Sequence, residues 1–147
     1  MDGKDRQMEL LQKKNIIINC KAKEKEAIIR EIGQILCDSG YVEAGYIDGM
    51  LERENSFSTN IGNQIAIPHG VEASKSKIKS SGIAVMVFPE GTLWNDEKVS
   101  IVIGIAAKGE EHLDILANIA NKLATEEAVV EMLHSSVDEV YRIFTDK

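Results

Sequence analysis

Two apolar runs in the second half of the chain place the strongest constraint on what it can fold into. Residues 99–107 and residues 82–88 consist almost entirely of apolar side chains, which is typical of strands that are buried on both faces. The turn residues Pro89-Glu90-Gly91 close the earlier run, and residues 15–19 form a shorter β-branched run. These runs predict a buried sheet at the centre of the protein.

Apolar residues at helical spacing occur on both sides of these strands. The pattern predicts one helix over residues 23–39 and a second from about residue 43 to residue 54. Three further helices are predicted after the last strand, opening near His112, at Thr125 and at Ser136. Helices at both ends and strands between them indicate an α/β fold with a single mixed parallel/antiparallel sheet flanked by helices on both sides.

Composition indicates one globular domain and restricts its partners. The chain has 147 residues, of which 44% are hydrophobic, so we expect one domain over residues 15–147, preceded by an N-terminal extension (1–14) that is poorly ordered or helical. A net charge of -7 argues against nucleic acid as a partner and favours a basic protein surface. No apolar run reaches the roughly 18 residues of a membrane span, so no direct membrane insertion is expected. Cys20 and Cys37 are interpreted as reduced thiols of a cytoplasmic protein.

Pro68-His69-Gly70 is the strongest local candidate for a functional site. It abruptly ends an apolar run within residues 59–70, which we interpret as one strand that begins near Gly62 after a polar loop and stops at this tripeptide. Proline fixes its own φ and lacks a donor, while glycine tolerates conformations that other residues avoid, so His69 is presented where a strand stops. An ordinary turn histidine is the more common explanation of so short a motif.

A second histidine, His112, is also predicted just beyond a buried strand. Reactive groups of α/β proteins gather at such strand ends. An imidazole with a pKa near 6.5 is neutral and nucleophilic at neutral pH, and a neighbouring imidazole can hydrogen-bond an anion formed on it. This pair favours phosphoryl transfer, for which backbone N–H groups at the start of the His112 helix are further donors.

Other residues offer competing interpretations. Cys20, between a predicted strand and a predicted helix, is a candidate cysteine phosphoacceptor, although no glycine-rich loop accompanies it. The three histidines lack zinc-motif spacing, which leaves a metal site as a minor alternative. His134 falls near a helix C-terminus, where the dipole explains it, and Trp94 is expected to pack at the sheet edge rather than against a sugar.

Several segments together resemble a known family. They are residues 50–54 (Met-Leu-Glu-Arg-Glu), residues 58–62 (Ser-Thr-Asn-Ile-Gly), residues 65–70 (Ile-Ala-Ile-Pro-His-Gly) and residues 102–107 followed by Glu111-His112-Leu113. The chain is similar over about residues 15–144 to the enzyme IIA components of the mannitol/fructose type, in the bacterial phosphoenolpyruvate-dependent sugar phosphotransferase system. Its segments are most similar to the mannitol-specific branch.

The resemblance implies a function and a site. It implies that His69 is the phosphoacceptor, modified at Nε2 (tele-phosphohistidine), that His112 stabilises the phosphoryl group, and that Arg53 gives electrostatic support. It implies that residues 15–147 form a IIA-type phosphotransferase domain that takes the group from phospho-HPr and passes it to a cysteine of the IIB domain of the mannitol permease, without cofactor or metal.

The same resemblance leaves some points open. A fructose-specific or a regulatory, nitrogen-type IIA protein that acts by phosphorylation-dependent partner binding is the alternative. Asn63 stands where mannitol-type relatives can carry an acidic residue, which puts a charge role there in doubt. Since the chain ends soon after its last predicted helix, we expect a freestanding carrier.

Overall fold

The structure is a computed structural model, and it describes residues 9–109 and 111–145. One sheet is built from β1 (Ile16–Ile17), β2 (Asn60–Gly62), β3 (Ile65–Ala66), β4 (Gly82–Trp94) and β5 (Glu97–Ala106). Its strand order is β1-β4-β5-β3-β2. The β1–β4 and β3–β5 pairs are parallel, whereas the β4–β5 and β2–β3 pairs are antiparallel. The prediction of a single mixed sheet is confirmed.

Helices cover both faces of the sheet, as predicted. They are α1 (Lys25–Asp38), α2 (Tyr46–Ser56), α3 (Glu111–Lys122), α4 (Glu126–Leu133) and α5 (Val137–Thr145). Buried side chains of α1 and α2, such as Ile32 and Met50, pack in the core on one face. Those of α3, α4 and α5, such as Ile119 and Met132, pack in a second core on the other face.

The central strands supply both cores because successive side chains of a strand point to opposite faces. In β4, Val85 and Val87 belong to the core under α3 to α5, while Ala84 and Met86 belong to the core under α1 and α2. All four are at most 1% exposed. Burial on both faces explains why β4 and β5 have near-continuous apolar sequences.

The stretch of residues 59–67 differs from the single strand that the sequence suggested. It forms a hairpin of β2 and β3, joined by Asn63 and Gln64 with φ of 54° and 68°. Two successive residues with positive φ match the right-handed twist of a two-residue hairpin, and asparagine tolerates that conformation. The side chain of Asn63 also donates to the Leu123 carbonyl (3.1 Å), so this residue has a structural role at the position where an acidic residue was considered.

The turn predicted at Pro89-Glu90-Gly91 does not end its strand. β4 does not end at Phe88 but continues to Trp94, with an irregular register between Val87 and Thr92 and a φ of 80° at Gly91. A bulge of this kind accommodates a proline without ending the strand. The polar segment after Gly70 contains a 3₁₀ helix at Glu72–Lys77.

The predicted N-terminal extension lies partly outside the described residues, since residues 1–8 are not among them. Of the remainder, Leu11 is 2% exposed within the core, and a 3₁₀ helix covers Lys13–Asn15. The backbone N–H of Ile83 donates to the Leu10 carbonyl (2.8 Å). A domain boundary at residue 15 stays a prediction.

The parallel pairing of β3 with β5 determines where the candidate site lies. Parallel strands bring their carboxyl ends to the same edge of a sheet, and ligands of such sheets bind at that edge. His69 follows β3, and the chain leaves β5 toward α3, which carries His112.

None of the helices formed by residues 9–109 and 111–145 has the length and apolar character of a membrane span.

Candidate functional site

Backbone hydrogen bonds fix the segment that carries His69. Beyond β3, the N–H of Ile67 donates to the Thr59 carbonyl (3.0 Å), and the N–H of Ile105 donates to the Pro68 carbonyl (2.9 Å). His69 itself forms an isolated parallel bridge with Ile105. The sheet therefore continues in fragmentary form up to the histidine, which holds its backbone firmly at the edge.

The imidazole of His69 is oriented by its own chain. Its Nδ1 lies 2.9 Å from the Ile67 carbonyl oxygen. Because a carbonyl can only accept a hydrogen bond, Nδ1 carries the proton in the neutral ring, and the lone pair belongs to Nε2. The geometry thus makes Nε2 the nucleophilic nitrogen.

His112 lies beside this ring. As the second residue of α3, it is placed at the end of the chain segment that leaves β5. The centroids of the two imidazoles are 5.5 Å apart and their planes make an angle of 63°. The first turn of a helix also presents backbone N–H groups that lack partners within the helix, which favours an anion nearby.

Arg53 reaches the same pocket from α2. The pocket has a volume of about 250 Å³, and Arg53, His69 and His112 all line it. One guanidinium nitrogen, Nη1, donates to the Phe57 carbonyl (2.8 Å), and Cζ lies 5.9 Å from the centre of the Phe57 ring. These contacts hold the cation at the last turn of α2. The three residues singled out in the sequence are thus brought together in one pocket.

The surroundings of His69 keep its ring neutral. Burial lowers the pKa of His69 below its ordinary value of 6.5, and the nearby charges of Arg53 and His112 lower it further. The hydrogen bond to Ile67 and the charge of Glu54 act in the opposite direction. Because the net pKa shift is downward, the nucleophilic form predominates at neutral pH.

Comparison with known proteins identifies the family. The family model described as "Phosphoenolpyruvate-dependent sugar phosphotransferase system, EIIA 2" matches residues 9–147. The chain belongs to this family.

Curated relatives of this IIA protein have mannitol-specific names. The mannitol-specific phosphotransferase enzyme IIA component of Halalkalibacterium halodurans is 44% identical over 84% of this chain and 86% of its own length. The protein of the same name from Bacillus subtilis is 44% identical over 90% and 93%, respectively.

Solved structures agree with the sequence comparison. The crystal structure of IIA mannitol from Escherichia coli has a TM-score of 0.84 at 36% identity, covering 91% of this chain and 98% of the other. A complex of enzyme IIA mannitol with phosphorylated enzyme IIB mannitol, also from Escherichia coli, gives 0.85 at 35% identity, covering 94% and 100%. The nitrogen regulatory protein IIA-Ntr of Neisseria meningitidis gives 0.75 at 25% identity, covering 92% and 97%.

Two side chains of the IIA site were not singled out from the sequence. Tyr46, at the first residue of α2, lines the pocket and is 2% exposed. Glu54 is 4% exposed and lies next to Arg53. Both are four residues from the buried Met50, on either side, so helical spacing places all three on the inward face of α2. A polar residue in such an apolar stripe is the signal that would have revealed them.

The carboxylate of Glu54 joins three elements of the IIA fold. It accepts hydrogen bonds from the backbone N–H of Thr59 (3.0 Å), from the Thr59 hydroxyl (2.6 Å) and from the indole N–H of Trp94 (2.9 Å). The ammonium group of Lys25 lies 3.8 Å away. The end of α2 is thereby tied to the beginning of the β2–β3 hairpin and to β4.

The competing candidates lie apart from this pocket. The thiol of Cys20 has a pKa raised chiefly by burial, which opposes the thiolate that a cysteine phosphoacceptor requires. His134 caps the C-terminus of α4 and contacts the Val130 carbonyl through Nδ1 (2.9 Å). Trp94 is fully buried. Within residues 9–109 and 111–145, no group of three His, Cys, Asp or Glu residues is arranged to hold a metal ion.

Proposed function

We propose that this IIA protein is a cytoplasmic phosphoryl carrier that accepts a phosphoryl group from phospho-HPr on Nε2 of His69 and passes it to a cysteine of a mannitol-specific IIB domain. The observation that carries the proposal is the contact between Nδ1 of His69 and the Ile67 carbonyl, because it leaves the Nε2 lone pair for attack. The pocket with His112 and Arg53 supports it.

Each transfer exchanges one bond to phosphorus for another. In the first, the Nε2 lone pair attacks phosphorus, the Nε2–P bond forms, and the donor's N–P bond breaks with its electron pair returning to the donor imidazole. In the second, a cysteine thiolate attacks the same phosphorus, the S–P bond forms, and the Nε2–P bond breaks. No metal or cofactor takes part.

His112 and Arg53 have distinct tasks in this proposal. The phosphoryl group on Nε2 of His69 carries negative charge on its three oxygens. The ring centroid of His112 lies 5.5 Å from that of His69, so the imidazole of His112 is close enough to donate a hydrogen bond to one of these oxygens. The guanidinium of Arg53 supplies positive charge from a fixed position. Both lower the free energy of the charged transition state.

The exposed surface beside the pocket suits two successive protein partners. Phe57 is 74% exposed and Leu113 is 67% exposed; they adjoin Arg53 and His112, respectively. Exposed apolar residues with charged neighbours are typical of transient interfaces. HPr and a IIB domain are the partners that we propose for this surface.

The choice of mannitol rests on the relatives, whose names are mannitol-specific at 44% identity. A carrier of this kind need not contact the sugar, so the choice of IIB partner determines the pathway it serves. Transfer to a fructose-type IIB domain would instead favour the fructose-specific alternative. A protein that is phosphorylated but transfers the group to neither type of IIB domain would favour the regulatory alternative.

The test is phosphorylation by phosphoenolpyruvate, enzyme I and HPr, followed by addition of mannitol-type or fructose-type IIB domains. We expect His69→Ala to remain unlabelled, and His112→Ala to be labelled roughly 100-fold more slowly, the typical cost of removing one charge-stabilising donor. His134→Ala is the matched control and should be labelled at the rate of the original protein. Labelling of His69→Ala at the rate of the original protein would show that His69 is not the phosphoacceptor.

A further inference from the structure

Tyr46 lies beneath the segment that carries His69. It opens α2, its side chain is 2% exposed, and it lines the same pocket as His69, His112 and Arg53. Its position is seven residues before Arg53, which places the two side chains on the same face of the helix after two turns.

The hydroxyl of Tyr46 bridges the two sides of the site. It accepts a hydrogen bond from the backbone N–H of Gly70 (2.9 Å) and donates one to the carbonyl of Ile105 (2.9 Å). The N–H of Ile105 in turn donates to the Pro68 carbonyl (2.9 Å). The residues before and after His69 are therefore both anchored on Ile105, the first directly and the second through the tyrosine.

The ring of Tyr46 fixes the same segment by packing. A Cβ atom added to Gly70 would lie 2.6 Å from Cε1 of Tyr46 and 2.3 Å from Oγ of Ser74, closer than van der Waals contact allows. Gly70 does not adopt a positive φ. Glycine is therefore needed here because the side chains of Tyr46 and Ser74 approach its backbone closely, and not because of an unusual backbone conformation. This corrects the reason that the sequence suggested for it.

The bridge is present throughout the neutral pH range. Burial raises the pKa of the Tyr46 hydroxyl, and the hydrogen bond from Gly70 offsets this only in part. The hydroxyl therefore keeps its proton and goes on donating to the Ile105 carbonyl.

We infer that Tyr46 is a positioning residue for phosphoryl transfer: by tying Gly70 to β5, its hydroxyl fixes the direction in which Nε2 of His69 faces the incoming phosphorus. This inference rests on the proposed function. In-line transfer depends strongly on such alignment, and a misplacement of about 1 Å can slow an enzyme step by roughly 100-fold. Tyr46 itself does not touch the reacting atoms.

The test is Tyr46→Phe, which removes one oxygen atom and keeps the ring. We expect single-turnover transfer from phospho-HPr to slow by about tenfold or more, within the range given for misplacement, while the concentration of phospho-HPr that gives half the maximal rate stays unchanged. The freed segment also admits water, so the pKa of His69, measured by NMR titration, should rise toward 6.5.

Tyr41→Phe is the matched control. Tyr41 is also fully buried, and its hydroxyl accepts from Gln12 and donates to the Glu9 carbonyl, but it does not line the His69 pocket. We expect its transfer rate and His69 pKa to equal those of the original protein. Gly70→Ala gives a second variant, in which steric displacement of the segment should slow transfer without loss of the Tyr46 hydroxyl.

The outcomes separate the two proposals. If Tyr46→Phe transfers at the original rate with an unchanged His69 pKa, while His69→Ala is inactive, the inference about Tyr46 is overturned and the carrier function stands. If the original protein accepts nothing from phospho-HPr, the carrier function fails, and an unchanged His69 pKa in Tyr46→Phe would then refute the positioning effect on its own.

Discussion

At the residue scale, His69 is a weaker base than a free histidine because its ring is partly buried and faces the positive charge of Arg53. A lone pair that is already available at neutral pH is what a phosphoacceptor needs. The sequence predicted that a histidine would be presented at this position. The hydrogen bond that selects its nitrogen, by contrast, depends on side-chain orientation, which sequence spacing does not specify.

This balance gives a prediction for pH. We expect the pKa of His69, followed by NMR between about pH 5 and pH 8, to lie below 6.5, so the phosphorylation rate should fall only as the pH drops through that lowered value. Arg53→Gln should raise the pKa of His69, because a positive charge that disfavours the imidazolium is removed. Arg142→Gln is the control, because this exposed arginine of α5 does not line the His69 pocket. An equal pKa in all three proteins would contradict the assignment.

At the element scale, α2 is the helix that organises the site. It contributes Tyr46 and Arg53 to the pocket and Glu54 to the buried network. Its apolar spacing predicted a helix near these residues, and its arginine was recognised through the family resemblance. The network of Glu54 could not be predicted in the same way, because Thr59 and Trp94 are brought to it only by tertiary packing.

We therefore expect Glu54→Ala to destabilise the protein. The substitution leaves buried donors of Thr59 and Trp94 without an acceptor, at a cost of about 1–3 kcal/mol or more in the free energy of unfolding. Because Trp94 is the only tryptophan of the sequence, its fluorescence during urea denaturation reports this change directly. Glu52→Ala, exposed on the same helix, should change the stability by less than about 0.5 kcal/mol; equal effects of both substitutions would contradict a structural role for Glu54.

At the scale of the whole molecule, a single sheet separates two apolar cores. The mixed sheet with helices on both faces was predicted from apolar runs and helical spacing. The starts of α4 and α5 were predicted from their capping residues: Thr125 accepts a hydrogen bond from the backbone N–H of Ala128, and Ser136 and Glu139 exchange hydrogen bonds. Strand order could not be predicted, because the parallel β3–β5 pairing depends on contacts between segments far apart in the sequence. That pairing is what brings His69 and His112 together.

This architecture predicts that stability and function can be separated. Ile103 is fully buried at the centre of β5. Its change to alanine should lower the free energy of unfolding by about 2–5 kcal/mol, with little effect on the transfer rate per folded molecule. Leu93 is 65% exposed, and its change to alanine should stay within about 0.5 kcal/mol. Thermal denaturation and single-turnover labelling check the two quantities; a large loss of rate in fully folded Ile103→Ala would contradict the prediction.

The hydrogen bond between His69 and the carbonyl two residues before it has a consequence for the cycle of the proposed carrier. Because Nδ1 keeps its proton throughout, attack by Nε2 releases no proton, and the phosphorylated ring is left with a positive charge that makes it a good leaving group. In the proposed cycle, His69 therefore needs no general base for loading or for release of the phosphoryl group. The proposed carrier would thus owe the reversibility of its transfer to the backbone geometry of a single short segment.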